Sequence, residues 1–494
     1  MSQSKVSLVR TGTPIHAART ASFATCKSTL LAIAIAALAT GCMSGPDYRV
    51  PAVPQTAGGQ FITHPASTDS SLPLPAQWWK LYDDRALDTL VQEALSANTD
   101  LRVALANLDR ARAAYHESRS GLFPSTTLSG GANRGRDQTT WNGTGQAPTQ
   151  WSYTGGLDIS YELDLFGRVR RDIEAAQADA DAISAAYDAA RVVVVAETTR
   201  AYVDACAYGE SVNVARSSID IAKRSLDIVA SQERAGSASH LDVERAGVTL
   251  AQAEAALQPL QGQRNAALFE LAELLGRTPS QVPESARTCT KAPEMAGVVP
   301  VGDGAELLRR RPDVRQAERQ LAANTARIGV AVADLYPRIT LGTSGNYLRN
   351  DYLKGNRALS FSFGPLISWS FPNTMVARSR IEQAKAENAA SLARFDGAVL
   401  NALKESEQSL NVYGSAMQQR EALTDALARA ENAFRLADQR YHSGSISYLD
   451  VIVAENSLID AKSQVAAADQ RVGSARVNVF KALGGGWERA DVNQ

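Results

Sequence analysis

The chain has 494 residues, of which 45% are hydrophobic, and 51 basic against 52 acidic side chains give it a formal net charge of −1. This nearly equal number of basic and acidic side chains, without a basic patch, excludes a typical nucleic-acid-binding protein. We therefore expect no nucleic-acid partner. The length ordinarily corresponds to two or three domains.

The N-terminus has the features of an export signal. Residues 28–39 form an apolar run of twelve that follows basic residues, and a bilayer-spanning helix needs about 18 or more. Residues 39–42 (Ala-Thr-Gly-Cys) resemble a bacterial lipoprotein box, which predicts a signal peptide over 1–41 and a lipidated Cys42. Residues 42–80 would then be an N-terminal, lipid-anchored tether. The alternative is an ordinary cleavage site beside a chance cysteine.

The remaining cysteines do not indicate a disulfide framework. Cys26 lies in the predicted signal peptide and Cys42 is the predicted lipid site, which leaves Cys206 and Cys289. One lies in helical sequence and the other in a loop-like stretch, so no disulfide framework is implied.

The chain is an internal duplication. Residues 100–128 align without gaps with residues 313–341, at an offset of 213 that falls to 208 further along the chain. The five-residue difference indicates a longer loop in the first copy. The predicted domains are a first repeat over 81–276, a linker over 277–304, a second repeat over 305–487 and a tail over 488–494.

Each repeat is predicted to contain a helix, two strands, a very long helix, a tight turn and a return helix. Residues 168–232 have no proline and are rich in alanine, which predicts a helix of about 100 Å. The return helix, 241–276, would span about 50 Å. Helices alone would suggest a rod or a stalk.

The strands argue against a plain stalk. In residues 151–163 the odd positions are mostly apolar and the even positions polar, and residues 337–347 and 359–371 alternate similarly. Period two gives a strand one apolar and one polar face. With aromatic residues near the ends, this pattern favours a transmembrane β-barrel with lipid outside and water inside. The predicted strands fall within 123–163 and 336–371.

The polar face would line the water-filled interior. Asp158, Ser160 and Glu162 share that face, so we predict that they point into the lumen. A half-buried sheet of a soluble domain is the alternative for any one strand. Four strands cannot close a barrel, because single barrels start at about eight, so chains must pool their strands. Three chains would supply twelve.

Nothing in the sequence indicates catalysis. The five histidines lack metal-site spacing and no nucleophile or nucleotide-binding motif is present, so we expect neither an enzyme nor a cofactor. "LRRRPD" (308–313) is interpreted as a solvated helix start, with Pro312 in the first turn. "GGGW" (484–487) is interpreted as a helix stop.

Several motifs together resemble one known family, the TolC-like outer membrane factors, in their lipoprotein branch. The motifs are "GPDYRVPAVP" (45–54), "WWKLYDDRALDTLVQEALSANTDLR" (78–102), "YELDLFGRVRR" (161–171), "LLRRRPDVRQAERQLAAN" (307–324), "RYHSGSISYLDVIVAENSL" (440–458) and "ALGGGW" (482–487). The resemblance implies an α+β membrane protein. It would be a homotrimer whose twelve-stranded outer-membrane β-barrel continues as a long α-helical barrel in the periplasm, with an equatorial belt that includes the inter-repeat linker.

The resemblance also implies the partners. These are a periplasmic adaptor protein, an inner-membrane transporter of the resistance-nodulation-division (RND) class and outer-membrane lipid. The predicted function is the exit duct of a tripartite efflux system for drugs or other small molecules. A type I secretion duct and a structural coiled-coil envelope lipoprotein are the alternatives.

The two tight turns are predicted to be the periplasmic tips that dock the adaptor. Gly236 and Gly444 supply the backbone freedom for the reversals, and Ser237 and Ser445 follow them. In the family the second hairpin closes the channel with acidic side chains, and the matching residue here is Asp450. A second acid, present in some members, is replaced by Val453.

The predicted gate combines Asp450 with two neighbours of the same turn. Arg440 would offset the repulsion among the acids of the three chains, and Tyr441 would act as a latch through its hydroxyl. The alternative is that Asp450 only caps a helix, as we expect for its repeat equivalent Asp242.

Overall fold

The computed structural model describes residues 43–136, 143–295 and 297–487. Cys42, the predicted signal peptide and the predicted tail therefore lie outside the described residues. The helices are α1 (Arg85–Ala97), α2 (Thr99–Ser120), α3 (Arg168–Arg234), α4 (His240–Leu274), α5 (Glu284–Arg287), α6 (Gly304–Arg310), α7 (Pro312–Ala333), α8 (Met375–His442) and α9 (Tyr448–Ala482). The strands are β1 (Thr68–Asp69), β2 (Ser125–Gly135), β3 (Gln150–Leu163), β4 (Val299–Pro300), β5 (Arg338–Arg349) and β6 (Leu359–Ser368).

The two copies of the duplication have the same elements in the same order. Helices α2 and α7 both have 22 residues, and α4 and α9 both have 35. The five-residue difference lies between the paired strands, in residues 136–149 of the first copy and 350–358 of the second. The predicted order of helix, two strands, long helix, turn and helix is confirmed.

The chain divides into two compact units. The strand unit contains the described residues of 43–48, 115–176 and 323–388, and the helical unit contains the rest. In the strand unit the four long strands form one antiparallel sheet in the order β2-β3-β5-β6. None of the helices in the described ranges has the length and apolar character of a membrane span.

The core of the helical unit brings together two sequence motifs that lie far apart in the chain, the one that begins at Trp78 and "GGGW" (484–487). Trp78 is fully buried and stacks on Phe480 with 4.5 Å between ring centroids. A Cβ atom at Gly485 would lie 2.8 Å from Cδ1 of Trp78, so only glycine allows this close approach. The indole N–H of Trp487 donates to the carbonyl of Arg310 at 3.1 Å. The "GGGW" segment does end a helix, and it also packs against the core.

The segment predicted as a tether is folded where the structure describes it. In the strand unit the hydroxyl of Ser44 donates to the carbonyl of Phe166 at 2.7 Å. The guanidinium of Arg171, whose side chain is 2% exposed, donates to the carboxylate of Asp47 at 2.6 Å. These bonds fix the residues immediately after position 42.

The later part of the same segment packs within the helical unit. The carboxylate of Glu407 accepts the backbone N–H groups of Ile62 and Thr63 at 2.6 and 3.0 Å. Strand β1 pairs in parallel with β4, which lies in the inter-repeat linker. The backbone groups of these residues have fixed partners, so the described part of the segment is folded. That it tethers the chain to a lipid anchor stays a prediction. The described residues also include two short strands, β1 and β4, besides the four predicted.

Cys206 and Cys289 form a disulfide, although the sequence did not imply a disulfide framework. The two residues are 83 positions apart and bonded, with 4.9 Å between their Cα atoms. A Cβ atom at Gly209 would lie 2.5 Å from the carbonyl oxygen of Cys289, so this glycine lets the linker approach α3 closely. The pairing arises from this long-range contact, which the local sequence around either cysteine does not indicate.

The interpretation of "LRRRPD" as a solvated helix start is only partly correct. Pro312 begins α7, as predicted, but Arg311 is only 7% exposed. Its guanidinium donates to Asp313 at 2.6 Å, to Glu405 at 2.8 Å and to the carbonyl of Ala482 at 2.9 Å. The two carboxylates and the carbonyl are what make a buried charge tolerable here.

Candidate functional site

The register of the four-stranded sheet produces two chemically different faces. Directly opposite residues of an antiparallel pair share a face. Leu128 lies opposite Leu157, and Ile159 lies opposite Thr343, which in turn lies opposite Phe363. The apolar face comprises Leu128, Tyr153, Leu157, Ile159, Tyr161, Leu341, Phe361, Phe363 and Ile367. The alternation seen in three separate strands is therefore continuous across the sheet.

The predicted lumen residues occupy the opposite face. Asp158 lies between Thr127 of β2 and Ser344 of β5. Ser160 and Glu162 follow on the same side of β3. The structure thus brings the three predicted residues together with hydroxyl-bearing neighbours. That this face borders a lumen stays a prediction.

Aromatic pairs lie at both ends of the sheet. Trp151 and Tyr153 stack at the loop end of β3, with 6.3 Å between ring centroids. Trp369 and Phe371 stack at 4.6 Å just after β6, and the Trp369 indole donates to the carbonyl of Leu335 at 3.1 Å. Aromatic girdles at both ends of an apolar band are typical of membrane barrels.

Ion pairs and a helix cap join the sheet to α3. The guanidinium of Arg168 donates to both carboxylate oxygens of Glu162, at 2.8 and 2.7 Å. Asp164 accepts the backbone N–H groups of Val169 and Arg170 at 2.9 and 3.0 Å, and so satisfies the first turn of the helix. Glu162 thus has a structural partner in addition to its place on the polar face.

The two predicted tip turns have the same geometry. Gly236 and Gly444 have φ values of +78° and +72°, a left-handed conformation that favours glycine. The hydroxyls of Ser237 and Ser445 each donate to the carbonyl five residues earlier, at 3.1 and 3.0 Å. Each turn therefore closes a helical hairpin, α3 to α4 and α8 to α9.

Both acids that follow the turns cap helices. The Asp450 carboxylate accepts the N–H and the hydroxyl of Ser447 at 3.1 and 2.8 Å. Asp242 makes the same pair of bonds with Ser239, at 3.1 and 2.7 Å, and the serine hydroxyl lowers the pKa of Asp242. Asp450 therefore has the capping role considered as its alternative. Its role in an aperture stays a prediction.

Tyr441 connects the hairpins of the two repeats. Its hydroxyl accepts a hydrogen bond from the side-chain amide of Gln232 in α3. Its ring lies edge-on to Tyr448 at 4.9 Å, and the Tyr448 hydroxyl is 2.9 Å from that of Ser225. Arg440 contributes its carbonyl oxygen to the turn. The structure thus gives the predicted latch residue a partner within its own chain.

Two other predictions concern the lipidation of Cys42 and the expectation of no cofactor. Cys42 lies outside the described residues, so its lipidation stays a prediction. Within the described ranges, no three His, Cys, Asp or Glu side chains are grouped so as to hold a metal ion.

A duplicated chain with a two-faced sheet and two long helical hairpins matches an established family. The family model for outer membrane efflux proteins matches residues 90–277 and 305–485. The chain belongs to the outer membrane efflux protein family. The resemblance inferred from the motifs is confirmed.

Relatives of this efflux protein are similar over nearly their whole length. The solvent efflux pump outer membrane protein SrpC of Pseudomonas putida is 31% identical over 459 residues, covering 90% of this chain and 96% of SrpC. Nodulation protein T of Rhizobium leguminosarum bv. viciae is 30% identical over 462 residues, covering 93% of each chain.

Two solved channel structures have the same fold. The outer-membrane channel OprN matches with a TM-score of 0.82 and 34% identity, covering 90% of this chain and 100% of OprN. The open state of the MtrE outer membrane channel of Neisseria gonorrhoeae matches with a TM-score of 0.78 and 26% identity, covering 91% and 99%. The architecture is that of an outer-membrane channel.

The sequence did not identify the residues between the hairpins. Ser225 and Gln232 are seven positions apart on α3, a spacing that places both on one helix face. That spacing is a usable signal of a polar seam. The sequence does not show that Tyr441 and Tyr448 of the other hairpin bind these two side chains.

Proposed function

We propose that this protein is the exit channel of a tripartite efflux system and passively conducts small molecules across the outer membrane. The two-faced sheet with its unpaired edges carries the proposal. Strands β2 and β6 are edge strands, and unpaired strand edges are templates for pairing with another chain. Three copies that pool their strands would form a closed barrel of twelve, wide enough for a water-filled interior.

The proposed assembly is a homotrimer in the outer membrane that extends into the periplasm. The apolar face of the sheet would contact lipid, and Asp158, Ser160 and Glu162 would face the lumen. Cys42 would carry the lipid anchor after removal of residues 1–41. The repeats 81–276 and 305–487 would each contribute two strands and a hairpin, and the linker 277–304 would lie at the equator.

The proposed partners are a periplasmic adaptor and an inner-membrane transporter of the RND class. Relatives whose names identify them as solvent, toluene and antibiotic efflux pump proteins support small molecules as the cargo. The adaptor would dock at the two hairpin tips, around Gly236 and Ser237 and around Gly444 and Ser445. Both tips end in fixed, matching turns, which suits recognition by one kind of partner.

The proposed gate is the turn of the second hairpin. In a trimer, three copies of Asp450 would concentrate negative potential in a narrow mouth and favour cations. Arg440 would offset their repulsion. Tyr441 supports a closed tip because its hydroxyl is bonded to Gln232 of the other hairpin.

Single-channel recording of the purified protein in a planar bilayer tests both the duct and the gate. We expect discrete channels that close at rest and prefer cations. Asp450→Ala should lower the cation preference, because it removes the acidic ring. Arg440→Ala and Tyr441→Phe should raise the resting conductance, because they weaken the closed tip.

The duplication supplies a matched control. Asp242→Ala removes the same kind of cap from the first hairpin without removing the proposed ring. An equal loss of selectivity in Asp242→Ala and Asp450→Ala would assign the effect to the lost caps. Absence of any channel activity would overturn the proposed duct. Unchanged selectivity and resting conductance in Asp450→Ala, Arg440→Ala and Tyr441→Phe would place the gate elsewhere.

A further inference from the structure

One carboxylic acid is buried where the two hairpins meet. Glu455 in α9 is 3% exposed, and its Oε1 atom has no hydrogen-bond partner among the described residues. A carboxylate removed from water without full pairing is costly. The neutral acid avoids most of that cost, so the protonation state of Glu455 matters to this contact.

The neighbours of Glu455 belong to both repeats. The Ser225 hydroxyl of α3 lies next to its carboxyl and is also bonded to the Tyr448 hydroxyl at 2.9 Å. Val229 of α3 and Ile452 of α9 pack together in the same buried cluster. We call this contact between α3 and α9 the tip seam.

Charged groups around the tip seam do not neutralise the buried acid. Arg224 on α3 is the cation that acts on it, but its side chain is exposed and its Nε donates to the carbonyl of Asp220. On α4, Arg245 lies 3.7 Å from Asp242.

Charged groups near the tips on α4, α8 and α9 also have partners of their own. On α4, Glu244 lies 3.5 Å from His240. On α8, His442 lies 3.4 Å from Asp438. On α9, Asp450 caps its own helix through Ser447. Burial is accordingly the main influence on Glu455, and it raises the pKa of that carboxyl.

The acid is specific to one copy of the duplication. At the offset of 208, the equivalent of Glu455 is Gly247 and the equivalent of Ser225 is Ala433. Ser225 belongs to the first repeat and Glu455 to the second, so the pair lies at the contact of α3 with α9, and the equivalent positions on α8 and α4 carry neither group. Packing of the hairpins alone therefore does not require an acid at position 455 or a hydroxyl at position 225, because the equivalent contact has neither.

We propose that Glu455 is a proton-controlled latch: the neutral acid holds the tip seam closed, and its ionisation loosens the two hairpins from each other. The link from this motion to gating rests on the proposed function. A carboxyl with a raised pKa contributes fully to the closed seam below its ordinary pKa, and the contribution is lost as the pH rises through the raised value. The seam is therefore tightest in acid.

Hydrogen exchange of the purified full-length protein tests the latch without assuming transport. After correction for the intrinsic rates, amides of residues 451–458 should exchange severalfold faster at about pH 8 than below the ordinary glutamate pKa of about 4.3. Glu455→Gln keeps the shape and stays neutral, so it should remain protected throughout. Ser225→Ala should move the midpoint to higher pH, because the Ser225 hydroxyl lowers the pKa of Glu455.

Glu254→Gln is the matched control, because it neutralises an exposed glutamate of α4 and should leave the wild-type profile unchanged. Wild-type exchange that does not vary with pH, or a Glu455→Gln profile identical to wild type, would overturn the latch. If the exchange profile behaves as expected but bilayers show no channels, the proposed function fails and the latch stands. If channels form but exchange is flat, only the latch fails.

Discussion

Repeat-equivalent residues can satisfy the same backbone group with different side chains. The Asn98 amide donates to the carbonyl of Leu274 at 3.0 Å, and Arg311 donates to the equivalent carbonyl, Ala482, at 2.9 Å. Both side chains are buried. The last carbonyls of a helix lack partners within it, so each return helix needs a donor at this point. Arginine can also pair with acids, which asparagine cannot.

At the residue scale we predict that the Cys206–Cys289 disulfide stabilises the helical unit. Closing a loop of this length typically contributes about 2–5 kcal/mol. Reductant should therefore lower the apparent Tm of the wild type by several degrees. Cys289→Ser is the suitable variant, because it leaves Cys206 as a thiol in its apolar site.

The same Tm with and without reductant in the wild type would contradict this prediction. Cys289→Ser should already melt at the lower temperature and should not respond to reductant. Disulfides persist in oxidising compartments, so the bond also agrees with export.

At the element scale, cross-strand pairing shows more than the alternation of any one strand. The sequence of β2 alternates poorly, but its register places Leu128 opposite Leu157 and Thr127 opposite Asp158. The strand therefore has the same two faces as its neighbours. Glycines at Gly130 and Gly131 hide this pattern in the sequence, because they contribute no side chain to either face.

We predict that arginine substitutions will have different effects on the two faces of β3. Leu157→Arg or Ile159→Arg should destabilise the protein in a bilayer by about 2–4 kcal/mol, because arginine near the midplane of the lipid face is costly. Ser160→Arg, one residue away from Ile159 on the polar face, should be tolerated. The measurement is the denaturant midpoint of folded trimers in lipid. Equal destabilisation by all three would mean that the faces are wrongly assigned.

At the scale of the whole molecule, the duplication gives the chain two equivalent hairpin tips. Cysteines at Ser237 and Ser445 should each crosslink to the adaptor in intact cells, because both turns lie at the proposed periplasmic end. Thr144→Cys, in the exposed loop between β2 and β3, is the control and should not crosslink. Crosslinks from position 144 alone would invert the proposed orientation.

The sequence by itself determined the duplication, the order of elements, the two faces of the sheet and the family. These features are local or periodic: alternation in Leu359–Ser368, or the turn glycine Gly444, depends on neighbours within a few residues. The same reasoning located Asp450 and Tyr441 at a turn.

Only the tertiary structure decided which distant residues meet. It joined Cys206 to Cys289, placed Gln232 against Tyr441, and buried Arg311 and Glu455. Each of these outcomes depends on how elements far apart in sequence pack together. A charged side chain looks the same in a sequence whether it is solvated or buried, because burial is a property of the surrounding elements and not of the residue.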